Sequence, residues 1–221
     1  MVWKATDPQG NEAAKVKFDV IPFVGASGMD LGCGPEKLFE HFLGIDSGID
    51  TKLFGIQMKP DIVVPDCARM RMFADGCVET VFSSHTLEHI EDYRAALAEW
   101  WRLVAVGGHL ILYLPHRDLY PRIGTPGANP DHKHDFAPED IVTAMHELAK
   151  GWDLLVNETR DGGREYSFLQ VYRKVAPEKA RGIGALLERP AKSVGIVRPG
   201  AYGDSLWGSS VAAAYKAQGY H

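Results

Sequence analysis

Three groups of residues have the types and spacing to do chemistry. The first is Gly28-Met29-Asp30-Leu31-Gly32-Cys33-Gly34, a short apolar run with one acid entering a glycine-rich turn. Glycine lets a backbone pass close to a ligand in conformations that a Cβ forbids. The dinucleotide fingerprint G-x-G-x-x-G would need glycine at position 37, where the chain has Lys37. An acid beside the turn would repel phosphates, so the turn suits a ligand without pyrophosphate whose ammonium group Asp30 can face. The second group is a pair of acids, Asp46 closing Leu43-Gly44-Ile45-Asp46 and Asp66 closing Asp61-Ile62-Val63-Val64-Pro65-Asp66. A strand-end carboxylate such as Asp46, next to Ser47, can accept two vicinal hydroxyls; Asp66, next to Cys67, can meet an exocyclic amino group. Either acid alone reads as well as a turn residue or a helix cap. Both at strand ends in register with the glycine turn point to one ligand lying across the sheet's edge.

The third group is histidine-rich. His116, Arg117, His132, Lys133 and His134 all fall between Pro115 and Pro138, a stretch with little periodicity that reads as a long structured loop, and such loops are usually functional. A single histidine there reads first as a solvated loop residue. Five cationic or titratable side chains on one loop predict at least one substrate contact, with His134, then His132 and His116, as candidates for a general base because histidine titrates near neutrality. Upstream, His85-Thr86-Leu87-Glu88-His89 spells H-x-x-E-H, the inverted zinc-protease pattern. That chemistry needs both histidines on one helical face, and here His85 directly follows a strand, so the expectation is no metal and a packed or capping role for His89.

The elements that must position these groups alternate. Ala13 to Val24 predicts a short helix stopped near Pro22, Gly28–Leu31 a strand, Lys37–Phe42 a short helical piece, and 43–46, 61–66 and 81–84 three more strands. From Asp92 to Val104, Tyr93, Leu97, Trp100, Trp101 and Val104 recur at helical spacing, with the tryptophans as core. Gly107-Gly108 is expected to stop that helix before a buried strand, His109–Leu114. Pro138-Glu139-Asp140 opens a further helix to about Lys150, and two final strands flank Asp161-Gly162-Gly163. Strands alternating with helices predict βαβ units and a mostly parallel sheet.

Composition bounds the function. The chain has 221 residues, 45% hydrophobic and 24% charged, with a formal charge of −5; a buried core is feasible, and a nucleic-acid-binding surface, normally basic, is not expected. Three cysteines, Cys33, Cys67 and Cys77, form no C-x-x-C pair, so neither a disulfide framework nor a thiolate zinc site is suggested. No apolar run approaches membrane-span length and no signal-peptide core is visible; a cytoplasmic protein is expected, its oligomeric state, homo-oligomer included, left open.

The series 28–35, Gly44-Ile45-Asp46, Ser83 to Asp92, and Gly107 to Pro115 resembles the class I S-adenosylmethionine (SAM)-dependent methyltransferases, in particular the small type 11 group associated with sugar and cell-surface polysaccharide genes. The resemblance spans about residues 10–175. It implies a doubly wound, mostly parallel seven-stranded α/β sheet of Rossmann-like kind, and SAM as cofactor. The cofactor contacts expected are Asp30, Gly32, Cys33 and Gly34, the ribose on Asp46 with Ser47, the adenine near Asp66 and Cys67, and the methionine end near Ser84 and His85. The chain departs from many members in carrying Glu36 where they have a glycine. Residues 176–192 read as a linker, and Val194 to Asp204 resembles the first strand and turn of heptosyltransferase-like glycosyltransferases, so 193–221 is expected to open a second domain. That association favours O-methylation of a sugar or cell-surface saccharide. A non-catalytic SAM-binding module of a larger glycan-building enzyme, or an N-methyltransferase acting on a small molecule, are the alternatives.

Overall fold

A computed structural model describes residues 12–48 and 57–176. The expected linker from Pro177 onward and the glycosyltransferase-like segment 193–221 lie outside the described residues. Within them, seven strands form one sheet in the order β3-β2-β1-β4-β5-β7-β6. The strands are β1 (Gly28–Leu31), β2 (Leu43–Asp46), β3 (Ile62–Val63), β4 (Val78–Ser84), β5 (Val104–Pro115), β6 (Trp152–Arg160) and β7 (Ser167–Lys174). β1 to β5 pair in parallel, while β7 runs antiparallel between β5 and β6. The chain winds outward from β1 to β3, then returns to β4 on the other side of β1, so the topological switch point lies between β1 and β4. In open α/β sheets that is where ligands bind.

The sheet is buried on both faces, and β5 shows why its sequence is a nearly continuous apolar run. Leu110, Leu112 and Leu114 enter the larger core with Trp100, Ile141 and Phe168. Ile111 and Tyr113 enter the smaller core on the opposite face with Val16, Phe42 and Phe82. The first face is covered by α2 (Tyr93–Leu103) and α3 (Pro138–Leu148). α2 begins where the Asp92 carboxylate accepts the Ala95 N–H at 3.0 Å. α3 starts on Pro138, with Asp140 accepting the Ala137 N–H at 2.8 Å. The second face is covered by an N-terminal run of 3-10 turn, α1 (Lys17–Val20) and 3-10 turn, where one short helix was expected.

Two expectations need correction. Lys37–Phe42 forms bends and turns, not a helix. The Leu38 N–H is taken by the buried Asp30 carboxylate at 2.7 Å, and the segment has only to span the gap between two adjacent strands. Gly107-Gly108 does not stop α2. The helix ends at Leu103, Val104 is already extended (φ −68°, ψ 129°), and the glycines lie within β5 beside an irregularity in its pairing with β4.

α2 also clamps the loop that follows β3. The Glu99 carboxylate, almost fully buried, accepts the Met70 N–H at 2.8 Å and pairs with Arg102 at 2.7 Å. Arg102 in turn donates to the carbonyls of Phe73 (2.9 Å) and Met70 (3.1 Å) and to Asp75 (2.7 Å). Trp100 Nε1 donates to the Cys67 carbonyl at 3.0 Å. Removing one member of such a pair leaves the other charge buried and uncompensated. Arg102→Ala is therefore expected to destabilise the chain by roughly 3 kcal/mol in denaturant titration, and a loss below the error of the measurement would contradict the clamp.

Asp30 generates a pH dependence. Burial, the largest effect, pushes its carboxyl up to about 7, with the Asp46 charge adding to it and the Leu38 N–H opposing. The folded state then holds a proton that the unfolded chain releases near the ordinary carboxylate value. The stability this confers is fully present below about pH 4 and is lost as pH rises through about 7. Asp30→Asn keeps an acceptor for Leu38 and removes the titration. Thermal melts between pH 4 and 8 should show a flatter stability profile for the variant than for the wild type; parallel profiles would refute the assignment.

Candidate functional site

The glycine turn is built from backbone geometry. Gly32 and Gly34 have φ of +74° and +62°, a region in which a side chain is strained. At Gly32 the space is also taken: an added Cβ would overlap the Thr86 hydroxyl. Among the described residues, the nearest neighbour above Gly34 is Met58 Sδ, 3.8 Å from where a Cβ would stand, so they leave the turn open on that side. The N–H groups of Gly32 and Cys33 both donate to the Ile45 carbonyl, at 2.8 and 3.3 Å, and pin the turn to β2. Cys33 is buried beside acids, and burial pushes its thiol up to about 12, so it lines the turn and is no nucleophile at neutral pH.

Asp46 faces the same turn from the end of β2. Its Oδ2 accepts the Gly34 N–H at 3.0 Å, and its Oδ1 accepts from Ser47 Oγ at 3.2 Å. A carboxylate has about four acceptor positions; with a long contact from the Gly48 N–H at 3.4 Å as well, capacity remains for a ligand hydroxyl. Asp66 is more exposed. Its Oδ1 accepts the Ala68 N–H at 3.0 Å in a local turn, which is the turn role that its sequence context equally allowed. The thiol of Cys67 is raised to about 12 by burial against the α2 side of the loop.

At the end of β4, Ser83 Oγ donates to the Leu31 carbonyl at 2.9 Å and ties β4 to β1 across the switch point. Ser84 Oγ is buried without a hydrogen-bond partner. His85 has φ +49°, the backbone kink that takes the chain out of the strand. Its N–H donates to the Tyr113 carbonyl, and its Nε2 lies 2.9 Å from Ser167 Oγ. Burial holds the imidazole down at about 3, so it is neutral at physiological pH. Its ring therefore stands on the β5–β7 side of Ser84, against Tyr113 and Tyr166, with Glu88 beyond it.

Next comes a 3-10 turn, Leu87–His89. Its Glu88 side chain is fully buried, and burial pushes the carboxyl up to about 8. Around its Oε1 stand His85 Nδ1 (3.8 Å), His89 Nε2 (3.9 Å) and His132 Nε2 (3.8 Å). Burial also lowers His132, to about 4. The Glu88 carbonyl accepts the N–H groups of Lys133 (2.7 Å) and His134 (3.2 Å), which binds the long loop to this turn.

The three histidines proposed from sequence go three ways. His132 joins the Glu88 cluster. His134 Nε2 lies 3.0 Å from the carbonyls of both Ile90 and Glu91, so that nitrogen carries the hydrogen, and its ring stacks on Phe136. Its outer side lines a shallow cavity of about 420 Å³, with Tyr93, Arg117, Phe136 and Asp140, between the loop and helices α2 and α3. His116 Nδ1 accepts the Asp118 N–H at 3.1 Å, and its ring meets Phe168 edge-on. Sequence reasoning passed over Glu88 and His89 as functional groups. The H-x-x-E-H string was their signal, but the partner that completes them, His132, arrives from 43 residues downstream.

Residues 29–112 match the model of a family described as a methyltransferase domain. No curated protein matches the chain. Among solved structures, the fold is similar to an S-adenosylmethionine-dependent methyltransferase from Mesorhizobium loti (TM-score 0.53, 18% identity, covering 72% of this chain and 96% of that one). It is similar also to a SAM-dependent methyltransferase from Archaeoglobus fulgidus (TM-score 0.52, 15% identity, 73% and 92%). The [4+2]-cyclase SpnF shares the fold as well (TM-score 0.51, 13% identity, 74% and 82%), so the sheet by itself hosts more than one chemistry. The family match adds what the sheet alone does not: the chain is an enzyme carrying a methyltransferase domain on a class I, Rossmann-like sheet, and S-adenosylmethionine is the cofactor that match and fold imply.

Proposed function

We propose that the chain transfers the methyl group of SAM to a hydroxyl of a saccharide acceptor. The observation that carries the cofactor half is the meeting of two positive-φ glycines with the Asp46 carboxylate at the switch point between β1 and β4. The residues fit the group. Gly34 leaves the turn open to a close-lying ligand, Asp46 retains acceptor capacity toward the ribose, and Ser84 presents a buried hydroxyl still lacking a partner. Asp66 and Cys67 stand one strand further out, on the adenine side, with Ser47 beside Asp46. Bound SAM supplies a sulfonium methyl that is already electrophilic, so the protein's task is orientation, which can account for roughly 7–11 kcal/mol of barrier.

On the acceptor side, the close approach of Thr86 to Gly32 supports a reaction centre just beyond the end of β4. Two residues beyond Thr86 lies Glu88, with His89 and His132 around it. On this reading those groups, rather than His116 or His134, would work on an acceptor hydroxyl. The saccharide assignment rests on the likeness of Val194–Asp204 to a glycosyltransferase opening, an association with glycan building and not a site geometry.

Calorimetry with SAM and S-adenosylhomocysteine should give micromolar or tighter binding, weakened at least tenfold by Asp46→Ala in a chain that still melts cooperatively. Affinity unchanged by that substitution removes the ribose assignment. Labelled SAM offered with nucleotide-sugars and polysaccharide extracts tests the acceptor; transfer only to amine acceptors would replace the saccharide reading by N-methylation.

A further inference from the structure

Glu88 is the least explained side chain in the described residues. Its carboxylate is fully buried and both oxygens lack a hydrogen-bond partner. A buried polar side chain is normally hydrogen-bonded, and one that ionises is normally paired or coordinates a metal. Its neighbours are imidazole nitrogens, at 3.8 to 3.9 Å, too long for hydrogen bonds. That spacing suits something lying between them. Ligand atoms about 2.0–2.2 Å from a shared first-row cation stand about 3–3.5 Å from each other. Completing such a site therefore asks roughly half an ångström of closure between Glu88 and each histidine, and up to roughly 1–2 Å between the two histidine nitrogens, which lie within 4.8 Å.

One oxygen of Glu88 and one ring nitrogen from each of His89 and His132 all lie within 4.8 Å of one another. The two rings meet edge to face, 4.7 Å between centroids. The three groups come from two segments that the backbone fastens together, since the Glu88 carbonyl takes the N–H groups of Lys133 and His134. His85 is the neighbour outside the trio: its Nε2 is engaged with Ser167 Oγ.

We propose that Glu88, His89 and His132 bind one divalent first-row transition cation. Two imidazoles and one carboxylate on one face form a known ligand set for such ions, with the remaining positions left to oxygen ligands. This reverses the sequence expectation of no metal. His85 stands on a loop, as expected, but the pattern does not need it, because the second histidine comes from the long loop. The part the cation would play, holding and polarising an acceptor oxygen, rests on the acceptor-side placement proposed above; the binding itself does not.

The test uses the full chain, stripped with a chelator and titrated with Zn²⁺ alone and with Co²⁺ alone, without SAM or acceptor. One equivalent of Zn²⁺ should bind at micromolar or lower concentration and raise the melting temperature. Co²⁺ should give visible absorption bands of nitrogen and oxygen ligation, without thiolate charge-transfer bands from Cys33, Cys67 or Cys77. Glu88→Gln and, separately, His132→Ala should each weaken Zn²⁺ at least tenfold and remove the thermal shift, while SAM affinity stays within a few-fold of wild type. No stoichiometric Zn²⁺ binding by the wild type overturns the proposal. So does binding that survives in the variants, or Co²⁺ bands of thiolate ligation. Failure of SAM binding would strike the methyl-transfer reading and leave the metal result standing on its own.

Discussion

At Gly32 the hydroxyl of Thr86 occupies the place where any other residue would carry its Cβ. This close approach joins the two halves of the site. On one side, the turn from Gly32 to Gly34 is stitched to β2 through the Ile45 carbonyl and the Asp46 carboxylate. On the other, the chain leaving β4 through Ser84 and His85 runs into the turn that holds Glu88. Because β1 and β4 are neighbours in parallel register, with Leu31 opposite Ser83, the glycine turn and the His–Glu cluster are set by the same pair of strand ends. A larger residue at position 32 would push them apart.

The remaining architecture holds that junction in place. Asp30 beneath the turn draws in the Leu38 N–H and shapes the return to β2 without a helix. The Glu99–Arg102 pair on α2 holds the loop that carries Asp66 and Cys67. Arg117 bonds Asp140 at the start of α3 at 2.9 Å, which fixes the near end of the long loop, and the Glu88 carbonyl fixes its far end. No helix of the described residues is long and apolar enough to cross a membrane.

Much of this was legible in the sequence because it depends on local pattern. The Leu97, Trp100 and Trp101 spacing marked α2, the Pro138-Glu139-Asp140 start marked α3, and the apolar run from His109 to Leu114 marked a strand buried on both faces. Lys37–Phe42 misled because its apolar residues, Leu38, Phe39 and Phe42, pack against the sheet from an irregular segment; a buried carboxylate took the backbone N–H that a helix would have used. Gly107-Gly108 misled because glycine pairs serve strand irregularities as well as helix ends. The histidines could not be ranked from sequence. Which of His116, His132 and His134 reaches Glu88 depends on how a loop without periodicity folds over the strand ends, and that is set by contacts between residues some 45 positions apart.

On the proposed reading, one ligand spans the strand ends from Asp46 to Ser84, with its reactive end toward Glu88. Hydrogen exchange followed by mass spectrometry, with and without S-adenosylhomocysteine, tests it on the whole chain. Exchange should slow in peptides covering residues 30–38, 44–48 and 83–89, with little change around the cavity of Tyr93, Arg117 and Phe136. Protection centred on that cavity, with the glycine turn exchanging as freely as before, would contradict it.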